Sequence, residues 1–103
     1  MTVLCLVDTG SLHNRFAPWV AELAGVDLTG VDEELVAVGG ITTTSRTVTC
    51  QLQLDDFAWE APVGFCDPWP FDFQIVGQLG FLRWFRVVID AADETFEVIP
   101  NIT

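Results

Sequence analysis

The chain has 103 residues, 50% of them hydrophobic, and its 15 acidic side chains against 4 basic ones give a formal net charge of −11. That length supports one globular domain with a small core, read as a single unit over residues 1–103. The negative field repels a phosphate backbone and so argues against nucleic acid as a partner. Arg15, Arg46, Arg83 and Arg86 are scattered and build no basic patch. No apolar run approaches the roughly 20 residues that a membrane span requires.

In chain order, Val3 to Val7 is a β-branched, apolar run with the character of a buried strand. It runs straight into Asp8 without a basic leader and therefore does not read as a signal peptide. Asp8-Thr9-Gly10-Ser11 supplies the small and polar residues of a tight turn. Phe16, Trp19, Val20 and Leu23 then recur at helical spacing, with Pro18 suited to a first turn and Gly25 to a C-terminal stop. Leu35 to Val38 reads as a short strand that reaches Gly39-Gly40-Ile41. From Arg46 to Leu54 the pattern alternates strictly, with Val48, Cys50, Leu52 and Leu54 on one side and Thr47, Thr49, Gln51 and Gln53 on the other. These two strands form a hairpin with a glycine-rich tip. Asp55-Asp56 marks the next turn, Phe57 to Phe65 a further strand, and Pro68 and Pro70 an interruption. Ile75-Val76-Gly77 is a short buried run, and Gly80 to Trp84 a brief helical turn. Phe85 to Asp90 and Thr95 to Ile99 pair around Ala91-Ala92-Asp93-Glu94. Many short strands with one helix predict an all-β fold, a small barrel or sandwich.

The three cysteines, Cys5, Cys50 and Cys66, are odd in number and far apart, and no CxxC pair occurs. A disulfide framework and a zinc site are both excluded by that spacing. Buried thiols in a reducing compartment are the expectation, hence a cytoplasmic location. Asp32-Glu33-Glu34 and Asp55-Asp56 lack the spacing of a calcium loop and read as solvated turns. His13 reads as a surface histidine. Trp19, Trp59, Trp69 and Trp84 read as core and interface anchors, with Trp69 the most exposed. Asn101-Ile102-Thr103 matches the short glycosylation acceptor pattern.

Chemistry enters at Asp8. A carboxylate at a strand end, followed by a hydroxyl and then glycine, is held in a tight loop where backbone amides can approach it. Four segments in order then carry a resemblance: Val3 to Ser11 with the helix closing at Gly25; Val36-Ala37-Val38-Gly39-Gly40-Ile41; Ile75-Val76-Gly77; and Gly80 to Asp90. Together they resemble the retropepsin-like aspartic proteases, in particular the small bacterial type with a single Asp-Thr-Gly. The resemblance implies a small closed β-barrel of the retropepsin type with one substantial helix. It also implies a homodimer in which Asp8 and its copy meet on a two-fold axis. Like carboxylates about 3 Å apart cannot both ionise and share a proton. One member then activates a water against a peptide carbonyl while the other protonates the carbonyl oxygen.

By the same resemblance Asp8 is the catalytic carboxylate. The Thr9 hydroxyl would bond across the dimer, and Gly10 would permit close backbone approach. Gly39, Gly40 and Ile41 would lie at the tip of a flap that closes on an extended peptide or protein substrate. No metal and no cofactor is implied. Two departures stand out: seven residues precede Asp8, where relatives begin with a further strand, and Gln78 replaces a common arginine. The rival reading is a non-catalytic module that keeps this fold for dimerisation or peptide binding.

Overall fold

The computed structural model describes residues 1–101. Its elements are β1 (Cys5–Val7), β2 (Asn14–Phe16), α1 (Pro18–Ala24), β3 (Glu33–Val38), β4 (Ile41–Leu54), β5 (Phe57–Asp67), β6 (Gln74–Val76), a 3₁₀ turn (Leu82–Trp84), β7 (Phe85–Asp90) and β8 (Thr95–Pro100). Six strands form one curled half-barrel sheet in the order β1-β6-β2-β5-β4-β3, and β7 and β8 form a separate ribbon. The all-β class with a single α-helix among the described residues follows the expectation. The last two residues of the acceptor pattern lie outside the described residues.

The frame is the β4–β5 hairpin, which pairs without interruption from Thr44↔Asp67 to Leu54↔Phe57. It turns at Asp55-Asp56, where Asp55 takes φ 51°, a conformation aspartate tolerates better than most side chains. The alternation predicted from Arg46 onward is present, but the strand starts five residues earlier, at Ile41. Thr42 to Ser45 all pair with β3, and Thr44 and Ser45 with β5 as well, so cross-strand bonding overrides their loop-like polarity.

β2 was not expected. It is three residues long, parallel to β5 through Arg15↔Gly64 and antiparallel to β6 through Arg15↔Ile75. Two polar residues and one aromatic give no strand signal, and only its two neighbours make it one. β1 in turn pairs with β6 alone, through Leu6↔Ile75, and its outer edge is open. That corrects the buried-strand reading of Val3 to Val7. Leu4 is 71% and Leu6 47% exposed, because their parity projects from the sheet face opposite the one on which Val3 and Val7 meet the core.

α1 begins at Pro18, whose missing N–H matters least in a first turn, and stops at Gly25 with φ 73°. The Ala17 N–H donates to Gln74 Oε1 at 2.7 Å, so a buried glutamine closes the N-terminal end from another strand. Val20 and Ala21 face the core, whereas Trp19 and Leu23 are exposed. The predicted apolar stripe is therefore only half used. Trp19, rather than Trp69, is the exposed tryptophan: Trp69 is half-buried and its Nε1 donates to the Phe73 carbonyl at 3.0 Å.

The core joins Phe16, Ala17, Val20 and Ala21 to Trp59, Ala61, Val63 and Phe65 of β5, with Val76, Phe81 and Phe85 behind them. Trp59 is its centre. Its ring meets Phe85 edge-on at 5.0 Å and Phe81 at 5.9 Å, and its Nε1 donates to the Gly80 carbonyl at 2.9 Å. Among the thiols, Cys66 is buried, Cys50 is half-buried and Cys5 is exposed on the open strand, so the expected burial holds for one of three. All three are free. No described helix is long and apolar enough to cross a membrane.

Trp59→Ala removes the ring that every neighbouring aromatic touches and leaves the Gly80 carbonyl without its indole donor. Urea unfolding should show a loss of about 3–5 kcal/mol relative to wild type.

Candidate active site

The loop that follows β1 is fixed by main chain before any side chain acts. The Asp8 N–H donates to the Val76 carbonyl at 3.0 Å, which extends the β1–β6 ladder by one residue. The Ser11 N–H then returns to the Asp8 carbonyl at 3.1 Å and closes the turn. Inside that turn the Gly10 N–H donates to Asp8 Oδ1 at 2.9 Å. A Cβ on Gly10 would stand 3.3 Å from the same oxygen, so glycine leaves room for the amide to approach the carboxylate. Asp8 is half-buried, Thr9 and Gly10 are exposed, and the carboxylate is held without being enclosed.

Ile75-Val76-Gly77 passes directly beside this loop. A Cβ on Gly77 would lie 2.4 Å from the Ser11 carbonyl oxygen and 2.8 Å from that of His13, closer than packed atoms come. Only glycine lets the two backbones cross there. The next residue closes the contact: the Gln78 N–H donates to the Ser11 carbonyl at 2.8 Å, and its side-chain Nε2 donates to the Thr9 carbonyl at 2.8 Å. The residue standing in place of an arginine therefore has its own work as a clamp on the Asp8 loop.

Beneath lies Asn14, fully buried. Its Oδ1 accepts from the Gly77 N–H at 3.1 Å and its Nδ2 donates to the Gly80 carbonyl at 3.1 Å. One amide thus ties the end of β6 to the following turn. Sequence reasoning passed over Asn14 and Gln74, and it noted Gln78 only as a replacement for arginine, without its contact to Thr9. For Gln74 the available signal was a polar residue at the head of the short apolar run Ile75-Val76; Asn14, followed by Arg15, had none.

Strand alternation decides what else shares the carboxylate's side of the sheet. Asp8 lies two residues on from Leu6, Leu6 pairs with Ile75, Ile75 with Arg15, and Arg15 with Gly64. Cys66 and its partner Ser45 follow on the same face. The opposite face carries Phe16, Val63, Phe65 and Val76 into the core. A cleft of about 220 Å³ on that opposite side, lined by Pro18, Leu28, Glu33, Thr44, Arg46, Phe65 and Asp67, includes none of the predicted site residues. Its two central charges neutralise each other, because Arg46 is ion-paired with Glu33. Glu33 and Glu34 thus belong to β3, not to the solvated turn expected of them.

Gly39 and Gly40 form the two-residue turn of the β3–β4 hairpin, with φ 54° and 82° and Val38 paired to Ile41. Both positive values suit a primed turn that matches strand twist. Gly39 is constrained a second time, since a Cβ there would sit 2.7 Å from the ring of Phe71. Phe71 stacks on Phe73 and meets Trp69 edge-on, in the loop that leads into β6. Lower on the hairpin, Thr43 Oγ1 donates to the Pro68 carbonyl at 2.6 Å. The structure gathers Asp8, Thr9 and Gly10 in one loop. It places Gly39, Gly40 and Ile41 on a separate hairpin whose tip meets Phe71, and no hydrogen bond joins the two groups among the described residues.

This architecture is similar to a solved one. The crystal structure of a retropepsin-like aspartic protease from Rickettsia conorii superposes with a TM-score of 0.59 at 21% identity, covering 82% of this chain and 72% of that one. The fold is retropepsin-like. No protein-family model matches the chain, and no curated protein matches it significantly.

Gly77→Ala should cost about 2–4 kcal/mol in urea unfolding, because the added methyl meets backbone oxygen that has nowhere to retreat. Gln78→Ala leaves the strands intact. It should accelerate amide hydrogen exchange in the Asp8–Ser11 loop, as measured by mass spectrometry.

Proposed function

We propose that the chain is one protomer of a homodimeric aspartic endopeptidase that cuts extended polypeptide segments. The observation that carries this reading is the state of Asp8. Its carboxylate is anchored by one backbone amide at Oδ1, stands half-open at a strand end, and lies on the sheet face opposite the Trp59 core. The retropepsin-like fold supports the same reading. These 103 residues carry one Asp-Thr-Gly, and on this reading a second copy supplies the complementary carboxylate.

Apolar surface suited to such pairing is exposed on two elements. Leu6 of the open edge strand β1 and Leu4 just before it are exposed, and the β7–β8 ribbon exposes Ile89 beside its cross-strand partner Phe96. Exposed apolar side chains grouped in this way mark surfaces that association covers. In the dimer, Asp8 and its copy share one proton, because two adjacent like charges are unfavourable. The ionised member takes a proton from water, which attacks the peptide carbonyl carbon. The protonated member donates to the carbonyl oxygen, and on collapse of the tetrahedral adduct a proton passes to the departing nitrogen. Thr9, exposed in the loop, is positioned for contact between the two copies. Gly39, Gly40 and Ile41 cover the bound segment, whose main chain pairs with the hairpin edge.

Asp8→Asn should lower cleavage of a peptide library by roughly a hundred- to ten-thousand-fold while leaving the urea midpoint close to wild type. Wild-type activity should be bell-shaped with pH and peak on the mildly acidic side, since a dyad works only when singly protonated. Activity that survives the substitution rules out the mechanism. A protein that stays monomeric in analytical ultracentrifugation at high concentration leaves only the binding-module reading.

A further inference from the structure

Arg15 is the one cation on the same sheet face as Asp8, and the structure makes room for it. Its side chain lies across Gly64 and its Nη1 donates to Ser45 Oγ at 3.1 Å. A Cβ on Gly64 would stand 2.7 Å from that nitrogen and 2.5 Å from Ser45 Oγ. Glycine at this position is therefore the floor of a trough for the guanidinium. Only one of its donors is accounted for by a hydrogen bond among the described residues, and the single ion pair there belongs to Arg46 and Glu33.

The groups facing Arg15 offer it no counter-charge at bonding distance. From β5 they are Gly64 and Cys66, from β6 Ile75, and from β4 Ser45 and Thr47. Burial pushes the Cys66 thiol up; the Ser45 hydrogen bond and the Arg15 charge only partly oppose that shift. Glu34, across from Ser45 on β3, is exposed and makes no ion pair. His13 sits in the bend before β2 and is exposed. In a chain of net charge −11, a half-buried guanidinium with free donors is a local positive well in a repulsive field.

We infer that Arg15 is a specificity-determining residue that selects peptide segments carrying a carboxylate side chain close to the cleaved bond. This rests on the endopeptidase reading and names its substrate class. The placement fits. Arg15 lies two strands over from Leu6, and Asp8 two residues further along β1, which separates their Cα positions by about 12 Å. Three to four residues of an extended peptide cover that span. The planar guanidinium presents a fork of donors that matches a carboxylate.

The test is a peptide series in which one glutamate is moved through four positions on either side of an apolar cleavable pair, each peptide matched by its glutamine isostere. Near pH 6 glutamate should raise kcat/KM roughly ten- to a hundred-fold over glutamine at one position or a symmetric pair. The advantage should vanish below about pH 4.3, where the substrate carboxyl is protonated. It should also collapse towards unity in Arg15→Gln and persist, reduced, in Arg15→Lys, which separates lost recognition from lost folding. The same peptides are titrated against Asp8→Asn by tryptophan fluorescence. Cleavage with glutamate and glutamine equal throughout, or a preference that survives Arg15→Gln, overturns the subsite and leaves the endopeptidase standing. No cleavage, with Arg15-dependent preference for glutamate in binding, upholds the subsite and overturns the endopeptidase. Neither cleavage nor preferential binding overturns both.

Discussion

The site depends on one buried amide. Asn14 accepts from Gly77 and donates to Gly80, and through that pair it fixes the three-residue strand on which β1 hangs. β1 has no other sheet neighbour, so the position of Asp8 is inherited from β6, and β6 is located by β2 and Asn14. Each such bond contributes about 1 kcal/mol net, but an unpaired buried partner costs about 1–3 kcal/mol. That asymmetry gives a short, weak strand a single register. Gly77 completes the arrangement: with no side chain, it allows the Asp8 loop to cross β6 at backbone distance.

The sheet then divides labour by parity. On β5, Trp59, Ala61, Val63 and Phe65 point into the core, while Gly64 and Cys66 point to the Asp8 side. Both parities are buried near the end of this strand, which is why its sequence runs almost continuously apolar there. Arg15 itself helps cover that second face. It reaches Ser45, and Ser45 and Cys66 are among the most buried side chains of the domain. A cation serving as a lid over polar and thiol groups leaves part of its donor set for something else.

Legibility followed the range of the interactions involved. The helix stop at Gly25, the two-glycine hairpin turn and the alternation from Val48 to Leu54 are local and were readable from neighbouring residues. The Asp8-Thr9-Gly10 loop was readable as a candidate for the same reason. What could not be read was long-range. β2 exists because two distant strands flank it. Gln74 closes a helix 57 residues away, and Gln78 reaches back 69 residues to Thr9. Cys5 and Leu6 looked interior because hydrophobicity alone does not tell an edge strand from a central one. Trp69 is the local exception: it looked exposed between two prolines because the residue pattern did not show the chain folding back within four residues to the Phe73 carbonyl and the Phe71 ring.

The same aromatic loop connects the two halves of the proposed machinery. Phe71 touches the hairpin tip at Gly39, Pro68 receives the Thr43 hydroxyl lower on the hairpin, and three residues after Phe71 the chain enters the β6 row that sets Asp8. A hairpin joined by a two-glycine turn is free to bend, yet this one rests on a ring that is itself stacked on Phe73. On the proposed reading, a peptide entering beneath the hairpin must compete with or build upon that apolar contact. Opening the hairpin and presenting the carboxylate are therefore coupled through a single six-residue loop. The edge that would bring in the second carboxylate, with Leu6 uncovered, is the free edge of β1, the strand that leads into Asp8. Substrate cover and dimer contact thus both act on Asp8 through β6, which has β1 as its neighbour on one side and the Asn14 strand on the other.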